Sequence, residues 1–124
     1  MMETVSETEQ MQSIEAFQSV IRKSENALQN MTEKGANTSV LEKRLHALCV
    51  SLHVLEYIWN RIPEQGYSRL EITEARHVMN KLLASVEKMI EKTAAGTPQR
   101  TLLERRIRAF QLAVQAMDEV GRIL

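Results

Sequence analysis

Between Leu41 and Ile62 the chain repeats apolar residues at spacings of four and three: Leu41, Leu45, Leu48, Leu52, Leu55, Trp59 and Ile62. That heptad period puts all seven side chains on one face of an α-helix, with no polar residue among them. A seam of this kind is not stable facing water, so another helical surface must cover it. Ala47, Val50, Val54 and Ile58 widen the apolar face on one flank, which predicts that this is the most buried helix of the chain.

Three further stretches carry the same period. Ser6, Glu7, Thr8 and Glu9 form a capping-box pattern, and the seam after it is Ile14, Phe17, Ile21, Ser24, Leu28 and Met31, up to a stop at Gly35. Ser39, Val40, Leu41 and Glu42 repeat the box at the head of the second helix, which Pro63 and Gly66 end. Ser68, Arg69, Leu70 and Glu71 form a third box, with Tyr67 and Ile72 placed as a hydrophobic staple across it. The third seam is Ile72, Ala75, Met79, Leu82, Val86 and Met89. Thr97 and Pro98 read as N-cap and first position of a last helix, with Leu103, Ile107, Phe110, Val114, Met117 and Leu124 on its seam and Gly121 as a weak point. The expected helices are about 7–34, 40–62, 69–95 and 98–124.

Matched lengths and short links force neighbouring helices to run antiparallel, which predicts an all-α, up-down-up-down four-helix bundle. With 124 residues, one hydrophobic core and a single domain over 1–124 are expected. Glycine, proline and aromatic residues are scarce, which favours helix over a turn-rich sheet. Met1 and Met2 lead into Glu3, Glu7 and Glu9 instead of a basic segment and an apolar run, so neither a secretory signal nor a membrane association is expected. A single cysteine, Cys49, can form no internal disulfide and fits a cytoplasmic protein.

Leu41 to Leu48 aligns without gaps on Leu103 to Phe110, and every pair is identical or similar except His46 against Arg108. A duplicated helical hairpin would produce this match. So would any two heptad helices once their seams are superposed, and that second explanation is preferred.

Signs of chemistry are few. Glu42, His46, Cys49, His53 and Glu56 step along the flank of helix two, and His46, Cys49 and His53 are the nearest approach to a metal site or a thiol–imidazole pair. Metal-binding bundles draw ligands from several helices, and no Glu-x-x-His accompanies this stripe, so a half-buried structural flank is the expected role. No phosphate-binding glycine loop, nucleophile elbow or zinc spacing occurs. The chain is therefore expected to be non-enzymatic and to need no cofactor. Met31, Met79, Met89 and Met117 fall on seams, as core filler does.

Sixteen basic and sixteen acidic residues cancel, so placement matters more than sum. In an up-down-up-down bundle, the links near Gly35 and Gly96 share one pole, which collects mostly basic residues, Arg108 included. The opposite pole collects mostly acids, among them Glu3 and Glu9. Lys43, Arg44, Arg100, Arg105 and Arg106 lie near helix starts, against the dipole preference, and form a candidate pole for an anion or acidic partner. Nucleic acid is not an expected ligand, because the chain is not basic overall and no stacking aromatics accompany the arginines. The apolar excess of helix two, Val50, Val54, Tyr57 and Ile58, either completes the core of the single chain or is the candidate interaction face, for another protein or a second copy in a homodimer. Together these features predict an interaction module of adaptor, chaperone-like or regulatory type.

Overall fold

Hydroxyl caps set the starts of three helices. The Ser6 hydroxyl accepts the Glu9 N–H at 3.2 Å, Ser68 accepts that of Glu71 at 3.1 Å, and Thr97 accepts that of Arg100 at 3.2 Å. At Ser68 the box is complete, because the Glu71 carboxylate accepts the Ser68 N–H at 3.1 Å. The computed structural model describes residues 2–123, and there these caps open α1 (Glu7–Glu33), α3 (Arg69–Glu91) and α4 (Pro98–Ile123). Helix α2 (Ser39–Ile58) starts differently from the expected box: its N-cap is Thr38, whose hydroxyl bonds the Glu42 carboxylate at 3.1 Å instead of a backbone N–H. Among the described residues there is no strand, and no helix is long and apolar enough to cross a membrane.

Two helices end earlier than expected, α2 before residue 62 and α3 before residue 95. Helix α2 stops at Ile58, with Trp59 as its cap and Asn60 in the left-handed region at φ 60°, a conformation that asparagine tolerates better than most residues. Ile62 is left outside the helix, just ahead of Pro63, where helical backbone is disfavoured. Helix α3 stops at Glu91, and the Arg100 guanidinium satisfies its end by donating to the carbonyls of Ile90 in the last turn at 3.0 Å and of Thr93 just beyond it at 2.8 Å.

Each helix packs on its sequence neighbours, and α4 returns to α1, which gives the expected antiparallel bundle. The cross-section is skewed. Helices α2 and α4 also touch across the middle, whereas α1 and α3 make no contact among the described residues. Small side chains suit this close pair: Ala47 and Ser51 on α2, and Ala109, Ala113 and Ala116 on α4, are all buried. The Ser51 hydroxyl donates to the Ala47 carbonyl at 2.7 Å and lies 3.8 Å from the Met117 sulfur, so a polar group at the crossing is satisfied locally.

A central α2 must bury more than one seam, and this decides the fate of its apolar flank. Val50 and Val54 sit in the core, and Ile58 packs against it half-buried; only Tyr57 of the expected interaction face is exposed. Val50 and Val54 of this flank therefore contribute to the interior of the chain. Leu52, Met79 and Phe110 share that interior, but Leu41 and Leu45 are half-buried outside it, as are Leu28 and Met31 of α1. The Leu124 position expected on the last seam lies outside the described residues.

The contacts of α1 and its preceding residues with α4 converge on one stretch of α4. Glu9 and Glu3 both bind Arg108, and Phe17 meets Phe110 two residues on, with ring centroids 5.3 Å apart. The buried residues of α1, Ser13, Ile14, Ala16 and Phe17, all lie in its first half. Arg108, expected at the basic pole, is thereby joined to Glu3 and Glu9, expected at the acidic one.

Candidate functional site

The residues expected to form one basic pole are dispersed over different faces. Arg100 is committed to the α3 carbonyls and to Glu104, at 3.3 Å. Arg105 lines a polar recess between α1 and α4 beside Glu9, Glu104 and Arg108, where Glu9 is bonded to Arg108 and Glu104 to Arg100. Arg106 is half-buried, and burial lowers the pKa of its guanidinium. Lys43 and Arg44 alone remain together, and they do so on the wall of a groove.

That groove, about 530 Å³ in volume, runs between the first half of α2 and the outer face of α3. Val78 and Leu82 pack on the core and form its bottom, with Val40, 64 % exposed, as an apolar edge. Lys43 and Arg44 stand on the α2 side, and Glu74, His77 and Lys81 on the α3 side. Helical spacing explains the α3 wall: Leu70, Glu74, His77 and Lys81 follow one another at four, three and four residues and share a stripe. Leu70, 65 % exposed, continues the apolar character beyond the far end. Among the described residues Lys43, Arg44 and Lys81 make neither an ion pair nor a side-chain hydrogen bond. A trough with aliphatic residues below and unpaired cations at its edges can take an amphipathic segment.

The His46, Cys49 and His53 flank is organised by a residue that the sequence marks only as a staple. Tyr67, directly before the α3 cap, stacks on the His53 ring with centroids 5.8 Å apart and holds its hydroxyl 2.6 Å from His53 Nδ1. Its ring also meets His46 edge-on at 6.4 Å, and His46 Nε2 lies 3.6 Å from a Glu71 carboxylate oxygen. Burial pushes the Cys49 thiol up, and the charge of Glu25 adds to the effect, so the sulfur is held as a thiol. The Tyr67 hydroxyl is raised as well, by burial first and then by the charges of Cys49 and Glu71. Since His53 Nδ1 is engaged by Tyr67, these groups form a packed polar seam between α2 and the start of α3. Among the described residues no three His, Cys, Asp or Glu side chains converge so that they could hold a metal ion.

Sequence periodicity points to Lys43 and Arg44 but gives no sign of Lys81 or His77 as their counterparts. A mixed-charge helix face looks the same in sequence whether or not a neighbouring helix turns it into the wall of a groove. No protein-family model, characterised protein or solved structure matches the chain, and its functional reading rests on this geometry.

Proposed function

We propose that the protein is a cytoplasmic, non-enzymatic interaction module that receives a segment of another protein in the α2–α3 groove. The observation that carries this reading is the groove itself: Val40, Val78 and Leu82 offer apolar surface that no helix of the chain covers, edged by charges that the fold leaves unpaired. Such an edge-and-bottom arrangement is the common form of helix-in-groove recognition. The sequence motifs agree with it, because they supply no nucleophile elbow, phosphate loop or metal-ligand spacing.

Site-specific photo-crosslinking in the native cell tests the proposal. A crosslinker at Ser85, exposed on the groove, is compared with one at Gln18, exposed on α1. Discrete protein adducts at Ser85 that vanish when Val40 is changed to Lys, with none of them at Gln18, support the reading. Identical adducts at both positions, or none at Ser85, would sink it.

A further inference from the structure

We infer that the segment taken by the α2–α3 groove is an acidic amphipathic helix, whose aliphatic stripe meets Val78 and Leu82 and whose flanking carboxylates meet Lys43, Arg44 and Lys81. The inference rests on the interaction reading above and adds the chemistry of the partner. Charge complementarity is its first ground. Three cations face the groove against one carboxylate, Glu74, and none of the three is neutralised within the described chain. A basic segment would place its own charges against this surplus and would find only Glu74 to pair with.

Shape is the second ground. Along α3 the apolar and charged stripe runs from Leu70 to Ser85, about 22 Å at 1.5 Å per residue, which is roughly four turns of a helix. Exposed apolar residues mark the two ends, Leu70 at one and Val40 of α2 at the other. An extended polar ligand would leave Val40 and Leu70 facing water, whereas a helix with apolar residues at i, i+4, i+7 and i+11 covers about 16 Å, most of the stripe. The same aliphatic bottom sets the partner apart from a nucleic acid, for which the groove offers no Phe, Tyr or Trp ring and only the His77 imidazole to stack on a base.

The full-length chain, isotopically labelled, is titrated with two designed helical peptides that share leucines at i, i+4, i+7 and i+11. One carries glutamates on the flanks and the other lysines. The expected result is that the glutamate peptide shifts the amide signals of Val40, Val78 and Leu82 and binds about tenfold tighter than the lysine peptide, as a few exposed ion pairs allow. Its affinity falls with added salt. In the double variant Lys43→Glu, Lys81→Glu the preference reverses. Both positions are exposed, and circular dichroism of the variant verifies that the bundle persists. Equal binding of the two peptides, shifts confined to another face, or no binding of the glutamate peptide would overturn the inference, and so would an oligonucleotide that competes for the same residues. A lysine peptide that occupies the groove defeats the acidic partner but leaves the interaction reading standing; absence of crosslinks at Ser85 removes that reading independently.

Discussion

The Phe17 and Phe110 rings lie with centroids 5.3 Å apart at an interplanar angle of 50°, both almost fully buried, and join the first half of α1 to the middle of α4. Because the other buried α1 side chains cluster around Phe17, this pair is the principal apolar tie between the two helices. Phe17→Ala is expected to cost about 3–5 kcal/mol in urea unfolding, the usual range for a buried phenylalanine. A double-mutant cycle with Phe110→Leu is expected to give a coupling of about 0.5–1.5 kcal/mol. Strictly additive losses would mean that the rings do not act as a pair.

The salt link above that pair makes a pH prediction. Hydrogen bonds from Arg108, then from Gln115, hold the Glu3 carboxyl down from an ordinary value of 4.5 to about 2. A carboxylate whose folded pKa is depressed contributes stability that is fully present above its unfolded value and disappears as pH falls through the folded one. The contribution of Glu3 should therefore be intact above about pH 4.5 and fade towards pH 2. Carboxyl-detected NMR of Glu3 gives the midpoint directly, and Arg108→Gln is expected to return it towards 4.5. An ordinary midpoint in the unaltered protein would refute the link.

Cys49 is expected to react slowly. Its thiol is raised first by burial and then by Glu25, so at neutral pH the nucleophilic thiolate is scarcer than in a free cysteine. Alkylation with iodoacetamide across a pH series should show a midpoint above that of a cysteine-containing peptide, and Glu25→Gln should lower it. Rates equal to those of the peptide would contradict the burial described for this sulfur.

At the α2–α4 crossing the size of the side chain matters more than its polarity. Ala113 is fully buried there, and Ala113→Leu is expected to destabilise by about 1–3 kcal/mol or more, because the added volume forces the two backbones apart. Ser51→Ala removes a hydroxyl bonded only to the carbonyl one turn earlier and to a sulfur, and it should change stability by less than about 1 kcal/mol. A reversed order in thermal unfolding would show that the crossing is not tightly packed.

The heptad seams made the four helices and their antiparallel order legible in the sequence, because period and link length together leave few other folds. Register was not legible. Sliding one helix along another by a heptad leaves every seam matched, and the contacts that fix how α1 meets α4, Glu3 and Glu9 with Arg108 and Phe17 with Phe110, are distant in sequence. The early stop of α2 was hidden for a similar reason: Trp59 and Ile62 continue the period through Asn60, which breaks the backbone but not the pattern. For the groove, Lys43 and Arg44 stood out by their position against the helix dipole. Lys81 and His77 had no such mark, and the widened flank of α2 left open whether it fills the core or faces a partner, a choice that the burial of Val50 and Val54 decides.

Uneven burial along α1 and α2 divides the chain into a stiff hub and a softer tip. Burial in α1 ends at Phe17 and in α2 begins at Ala47, so the connecting hairpin between them has few apolar anchors. Its amides should exchange with solvent through local openings, while those beside Phe17 and Phe110 wait for global unfolding. Val40, Lys43 and Arg44 stand on the tip, whereas Val78, Lys81 and Leu82 stand on α3, two sides of one trough with different freedom to move. A ligand that clamps them together would draw the tip against the hub, and slowed exchange across residues 39–46 would record its arrival.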